Sequence, residues 1–243
     1  MIFQRSWFRL ALLVLISAFG TACSPVRVAL HPDLREQGSC YTVRGHRSFT
    51  FRSQLAFGPY QTLRVRRGAV RSYRWNAIIQ GQGASQRNQC ILQHLPSGRM
   101  DSLTTLDKFK QRDLPVLGGR LQIPLSYTHL YRGEIRGQDH APAEFVVYQP
   151  DWIAGRETLC GNLDIPGQPL IQIHAIRQLE GSKAWLGLEP LGYRFEQEGQ
   201  VLGQVGTVNR GEVCLAQDLP LHLENCLASL STALLLRQNV TAP

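Results

Sequence analysis

The chain has 243 residues, of which 43% are hydrophobic, and its 26 basic and 18 acidic residues give a formal net charge of +8. This length and apolar content suffice for one large domain or two small ones, and they do not indicate disorder. No apolar run reaches the roughly 20 residues of a membrane-spanning helix, which argues against an integral helical membrane protein.

The first 22 residues have the three parts of a secretory signal peptide. Arg5 and Arg9 are the only charges, an apolar run follows from Leu10 to Ile16, and small residues lead to Ala22. Its uncharged stretch, 10–22, is too short to span a bilayer. We therefore predict a signal peptide at 1–22, followed by an N-terminal tether at 23–39 and a single β-rich domain at 40–243.

The predicted cleavage point precedes Cys23. The stretch Gly20-Thr21-Ala22-Cys23 resembles the lipobox of bacterial lipoproteins, although Gly20 stands where that motif usually has Leu. The resemblance implies a lipid anchor at Cys23, with the membrane bound through N-terminal acyl chains. It places the protein in the bacterial cell envelope, on the outer membrane facing the periplasm. Gly20 and Ala22 also suit ordinary signal peptidase, which would leave Cys23 first as well.

Short segments of alternating polarity, separated by Gly and Pro, dominate the rest of the chain and predict antiparallel strands. Arg67-Gly68 separates two predicted strands within 62–75, and 81–85 (GQGAS) is interpreted as a hairpin tip. The segment 102–113 is interpreted as a short helix or a loop. The other predicted strands are 47–55, 90–95, 120–125, 144–149, 170–176, 184–189, 193–195, 200–205 and 212–216.

The last predicted element is an apolar helix at 221–237. No charge occurs between Cys226 and Leu236, and a helix that is apolar nearly all round is enclosed by protein or lipid. Eleven residues span only about 16 Å, which is too short for a bilayer. The predicted fold is therefore mainly β, an antiparallel barrel or sandwich with a hydrophobic C-terminal helix packed inside or against the sheet.

The segment 193–237 resembles tubby-like domains, including the scramblase and LURP-one-related branch. Strand, Gly turn, strand, Gly turn, strand and apolar helix follow one another in the same order. The resemblance implies a closed antiparallel sheet around the helix and an affinity for membranes or anionic lipid, but it assigns no site residue. The whole chain also resembles uncharacterised proteobacterial envelope lipoproteins, which implies no activity.

Five cysteines remain once Cys23 carries the anchor. In an exported chain they are disulfide candidates, and we expect at least one bridge. Cys90 with Cys160 is the first choice, because both lie in strand-like surroundings, and Cys214 with Cys226 is the second. The candidates are Cys40, Cys90, Cys160, Cys214 and Cys226.

Charge is distributed unevenly along the chain. The interval between Glu36 and Asp101 holds ten arginines and no acidic residue. Arginine suits phosphate and carboxylate groups, and export argues against nucleic acid as a partner. The candidate anionic-ligand residues are Arg64, Arg66, Arg67, Arg71 and Arg74. The alternative is that these arginines pair with the acidic remainder of the same domain.

The sequence lacks the common catalytic and nucleotide-binding motifs, and no metal or cofactor is predicted. Asp139, His140 and Glu144 in the segment 137–144 are the only acid–base or metal candidates that stand out. We therefore expect a non-enzymatic binding module for an anionic lipid, a glycan or another envelope protein. An accessory subunit of an envelope assembly, or a hydrolase that uses the 137–144 loop, is the alternative.

Overall fold

The computed structural model describes residues 26–46, 54–77, 79–116, 121–138, 141–148, 157–181 and 189–237. Most of them lie in antiparallel strands. The two helices are α1 (Pro32–Gln37) and α2 (Leu221–Leu236). The strands are β1 (Gly38–Thr42), β2 (Ala56–Phe57), β3 (Tyr60–Arg67), β4 (Arg71–Asn76), β5 (Gln80–His94), β6 (Met100–Val116), β7 (Leu121–Arg136), β8 (Ala143–Tyr148), β9 (Glu157–Asp164), β10 (Ile171–Ile176), β11 (Gly192–Gln197), β12 (Gln200–Gly206) and β13 (Glu212–Ala216).

These strands form one nearly closed antiparallel sheet with a barrel-like path. Its order is β1-β13-β12-β11-β10-β9-β8-β7-β6-β5-β3-β2, and β4 pairs with β5 beside β3. An isolated bridge between Arg44 and Ala56 brings the chain after β1 against β2. Closure of this kind satisfies the hydrogen-bonding groups that the two edge strands would otherwise expose.

Helix α2 is buried along almost its whole length. Every residue from Asn225 to Leu236 is buried, and Leu227 and Leu230 have no exposed surface. The helix shares one hydrophobic cluster with residues of strands on opposite parts of the sheet, such as Leu103 and Phe195. The fold therefore has a central core that combines helix and sheet, as the apolar sequence of the helix requires.

Several polar groups of α2 have hydrogen-bond partners in the sheet or in the helix itself. The Ser229 hydroxyl donates to the carboxylate of Asp101 at 2.9 Å, and the Tyr131 hydroxyl donates to the carbonyl of Ala233 at 2.8 Å. The Thr232 hydroxyl bonds back to the Ala228 carbonyl. These bonds offset the desolvation of buried polar atoms and fix how the helix is rotated within the core.

The N-terminal segment packs on the outside of the sheet. Val28 is buried and forms a bridge with Leu179, and Leu34 of α1 is buried against Val201 and Cys214. Strand β1 begins at Gly38, within the predicted tether 23–39. The part of that tether from residue 26 onward is therefore folded against the domain.

The mainly β fold with an apolar C-terminal helix is confirmed. The helix or loop expected at 102–113 is wrong, because these residues lie in β6 with alternate side chains buried. The hairpin tip expected at 81–85 is also wrong, because these residues lie inside β5. Predicted strands 47–55 and 184–189 fall largely outside the described residues. Within the described part of the chain, no helix is long and apolar enough to cross a membrane.

At least one disulfide was expected, and Cys40 and Cys214 form one. Both expected pairings are wrong, however, because Cys90, Cys160 and Cys226 are buried thiols that form no disulfide. The bonded cysteines occupy directly opposing positions on β1 and β13. Since the two strands lie at opposite ends of the sequence, their register was not available from local sequence patterns.

Candidate anion-binding face

Two long hairpins extend beyond one end of the barrel. Among the described residues, β8 ends at Tyr148 and pairs with β7 only from Leu130 onward, so the earlier residues of β7 continue past the described part of β8. We call the extension the arm: it comprises β4, residues 80–87 of β5, residues 107–116 of β6 and residues 121–129 of β7. At about 3.3 Å per residue, the stretch from Asp107 to Val116 is roughly 30 Å long.

Strand register fixes which side chains share a face of the arm. Opposing residues of an antiparallel sheet point to the same side. Cys90 and Leu103 face the core, so the alternate residues Arg87 and Lys108 face outward. Three successive outer rows of the arm are Trp75, Gly81, Arg112 and Ser126; Tyr73, Gly83, Lys110 and Thr128; and Arg71, Ser85, Lys108 and Leu130.

The outer side carries a set of cations, which we call the basic face. Its members are all exposed and lie on neighbouring strands. They are Arg64, Arg66, Arg71, Arg87, Lys108, Lys110, Arg112 and Arg132. Alternate residues of a strand lie about 7 Å apart and neighbouring strands about 4.8 Å apart, so the cations form a continuous array.

Carboxylates are segregated from this array. The outer rows that contain Arg112, Lys110 and Lys108 hold no acidic residue. The following row, which contains Arg87 and Arg132, holds none either. Asp107 and Asp113 of β6 are on the opposite side and are buried. The first outward carboxylate is Glu134, whose two oxygens accept hydrogen bonds from Arg136 at 2.7 and 3.1 Å. The cations of these four rows therefore present charge of one sign to their surroundings, whereas Arg66 lies in the row of Glu134 and Glu144.

Two aromatic rings lie on the same face, over glycines. A Cβ atom on Gly81 would meet the indole of Trp75 at about 2.2 Å, and a Cβ on Gly83 would meet the ring of Tyr73 at about 2.5 Å. The glycines therefore allow the rings to rest directly on the sheet. Trp75 and Tyr73 keep 42% and 49% of their surface exposed, so one side of each ring is available for contact.

The five arginines predicted to bind an anion do not form one group. Arg64, Arg66 and Arg71 belong to the basic face, whereas Arg67 and Arg74 lie on the opposite side of the sheet. Burial lowers the pKa of the Arg67 guanidinium. Arg74 lines a cavity of about 240 Å³ together with Gln82 and Asp113.

Five cations of the basic face were missing from the sequence-based set: Arg87, Lys108, Lys110, Arg112 and Arg132. The two lysines lie in the segment that was interpreted as a helix or loop. In a helix or a loop, their alternation with Asp107 and Phe109 would not place them on one face. Once that segment is recognised as a strand, Lys108, Lys110 and Arg112 fall on one side.

A second polar cluster is buried where the arm joins the barrel, at the C-terminal end of α2. The imidazole Nε2 of His129 lies 2.7 Å from a carboxylate oxygen of Asp107, and Arg237 Nε lies 3.7 Å from the other oxygen. Arg237 donates to the hydroxyl of Tyr193 and lies over the ring of Tyr131. Burial opposes the charge of Arg237, but Tyr193, Asp107 and Tyr131 together raise its pKa. We interpret this cluster as a neutralised structural network, because all its members are buried.

The three buried thiols are poor nucleophiles in the folded protein. Burial raises the pKa of Cys90, Cys160 and Cys226 to about 12, and only the thiolate is strongly nucleophilic. Of the candidate loop at 137–144, Asp139 and His140 lie outside the described residues, and Glu144 is exposed in β8. Among the described residues, no group of three His, Cys, Asp or Glu side chains is placed to hold a metal ion.

Comparison of the chain with protein families, curated proteins and solved structures found no match.

Proposed function

We propose that the protein is an exported bacterial envelope protein, anchored through acyl chains on Cys23, whose β domain is a non-enzymatic binding module for an anionic envelope component. One observation carries the proposal: eight exposed cations lie on one face, and six of them, Arg71, Arg87, Lys108, Lys110, Arg112 and Arg132, occupy four successive rows that hold no carboxylate. Such a face attracts anionic groups over about a Debye length. Envelope phospholipids and glycans supply these groups, and the outer membrane facing the periplasm is the proposed location.

The covalent chemistry of the chain supports export. The Cys40–Cys214 disulfide is the kind of bond that persists in oxidising compartments such as the periplasm. The basic face argues against the alternative that its arginines pair with the acidic remainder of the domain. Asp107 and Asp113 are turned inward and Glu134 is engaged with Arg136. Glu144 is exposed but lies four strands from Arg66 in the same row.

Sedimentation with phospholipid vesicles tests the electrostatic part of the proposal. The full chain with Cys23→Ser, which lacks the proposed anchor, should bind vesicles that contain phosphatidylglycerol and should not bind pure phosphatidylcholine. Adding Lys108→Gln, Lys110→Gln and Arg112→Gln should weaken binding about 100-fold, because each cation near an anionic surface contributes about 1 kcal/mol.

The matched control removes the same charge elsewhere. Arg35 of α1, Arg99 in the turn before β6 and Arg136 at the end of β7 lie outside the arm, and their replacement by Gln should change binding much less. A soluble anionic polysaccharide added as competitor distinguishes a glycan from a lipid ligand. Equal binding of neutral and anionic vesicles, or equal losses from both triple variants, would contradict the proposal.

A further inference from the structure

The arm and the N-terminal segment lie at the same end of the barrel. The ring nitrogens of His46 lie 3.1 Å from the carbonyl oxygen of Leu235, near the end of α2, and 3.2 Å from that of Asn209. The Asn209 amide donates to the carbonyl of Val26 at 2.6 Å. These contacts place Val26 beside the C-terminal end of α2.

The base of the arm lies at this end too. Arg237, the residue that follows α2, faces Asp107 at the point where β6 enters the arm. The sequence places Cys23 three residues before Val26, and three residues of extended chain span at most about 11 Å. An anchor at Cys23 therefore turns this end of the barrel, with its arm, towards the membrane.

The distal part of the arm exposes apolar side chains. Ile79 next to the β4–β5 turn is 37% exposed, and Ile123 and Leu125 of β7 are 43% and 50% exposed. Leu114 and Val116 lie beside them on β6 and are partly buried. We call these five residues the apolar tip. A group of exposed apolar side chains at the end of a projecting hairpin is typical of an interaction site.

Side-chain chemistry changes in order from the tip towards the barrel. The apolar tip comes first, the rings of Trp75 and Tyr73 follow, and the basic face runs alongside and behind them. This order matches the layers of a membrane surface, in which acyl chains lie deepest, aromatic rings favour the interface and cations meet the head groups. The charge complementarity favours an anionic bilayer over another protein.

We propose that the arm inserts its apolar tip into an anionic phospholipid bilayer, with Trp75 and Tyr73 at the interface and the basic face against the lipid phosphates. The inference rests on the proposed function and specifies its ligand as a lipid surface. It also assigns the arm as a second membrane contact beside the N-terminal acyl chains. Membrane binding strengthens with the apolar area buried and with attraction to anionic lipid, so this second contact stabilises attachment.

Variants of the tip test the insertion. In the full chain with Cys23→Ser, Ile79→Ser with Leu125→Ser should weaken binding to phosphatidylglycerol-containing vesicles about tenfold. The matched control, Leu95→Ser with Leu170→Ser, changes two equally exposed leucines on the barrel and should bind as the unaltered chain does. All four side chains are exposed, so circular dichroism should show an unchanged fold.

Fluorescence gives a second readout that does not depend on the tip variants. Phospholipids brominated on their acyl chains should quench Trp75, measured as the difference in quenching between the Cys23→Ser chain and the same chain with Trp75→Phe. Normal binding by the tip variant together with unquenched Trp75 would overturn insertion while leaving the proposed function intact. Absence of any preference for anionic vesicles would overturn both. If the unaltered chain self-associates without binding vesicles, and the tip variant does not self-associate, the partner of the apolar tip would be a second copy of the chain.

Discussion

The three buried thiols show how much a single residue depends on its place in the fold. Cys90, Cys160 and Cys226 have strand-like or helical neighbours, and any of them could have been bonded on sequence grounds. The fold pairs Cys40 with Cys214 instead, because opposing positions on β1 and β13 bring their Cα atoms within 4.0 Å. A cysteine count predicts that a bridge exists, but pairing requires the register of distant strands.

Burial of Cys160 predicts a pH dependence of stability. Its pKa is about 12 in the folded protein and about 8.5 in an unfolded chain, so the unfolded state loses its proton first as the pH rises. The stabilising contribution is complete below about pH 8.5 and is lost as the pH rises towards 12. Between pH 9 and 11, the free energy of unfolding should therefore fall less steeply with pH in Cys160→Ala than in the unaltered chain. The difference in slope should correspond to about one bound proton, as measured by urea titrations.

A control separates the thiol from the cavity that its removal leaves. Val147 is buried on β8, next to β9, which carries Cys160. Val147→Ala should lower stability at every pH and keep the slope of the unaltered chain. An unchanged slope in Cys160→Ala would show that this thiol does not titrate differently in the two states.

Among the secondary-structure elements, β6 and α2 differ in how clearly the sequence specifies them. The sequence of α2 is uncharged over eleven residues, so its burial was predictable. In β6, Leu106 falls at helical spacing from Leu103 and Phe109, but it faces outward while the other two are buried. The polar residues Thr105 and Asp107 take buried positions between them, so the two-residue period of this strand is hidden by composition.

The core position of α2 predicts strong sensitivity to charge. Leu230 has no exposed surface, and Leu230→Asp would bury an unpaired carboxylate. We expect this variant to lack a cooperative thermal transition. The matched control is Leu170→Asp, because Leu170 is 49% exposed and its replacement should leave the melting temperature nearly unchanged. A Leu230→Asp protein that melts like the unaltered chain would contradict the packing of α2 in the core.

At the scale of the whole molecule, closure of the sheet depends on contacts between the two ends of the sequence. Strand β1 pairs with β13, and the Cys40–Cys214 disulfide joins positions 174 residues apart. Fold class, the final helix and most strand positions followed from polarity patterns. The arm could not be predicted from polarity patterns, because it depends on strand length and register. Strands β5, β6 and β7 have 15, 17 and 16 residues. Only their pairing with neighbouring strands shows which parts leave the barrel.

The candidate site was predictable in charge but not in shape. The arginine-rich interval 44–99 correctly indicated a basic surface, and Arg64, Arg66 and Arg71 belong to it. Alternation along β3 and β4 turns Arg67 and Arg74 to the other side. The lysines that complete the face come from β6, whose strand character the sequence conceals.

Salt dependence of vesicle binding tests the central claim most directly. The account attributes binding to the basic face, so the affinity of the Cys23→Ser chain for phosphatidylglycerol-containing vesicles should fall steeply when NaCl rises from about 0.05 M to about 0.5 M, since salt screens exposed charges. The chain that also carries Lys108→Gln, Lys110→Gln and Arg112→Gln should show a clearly shallower fall. Equal salt dependence in both proteins, or affinity that does not change with salt, would contradict the account.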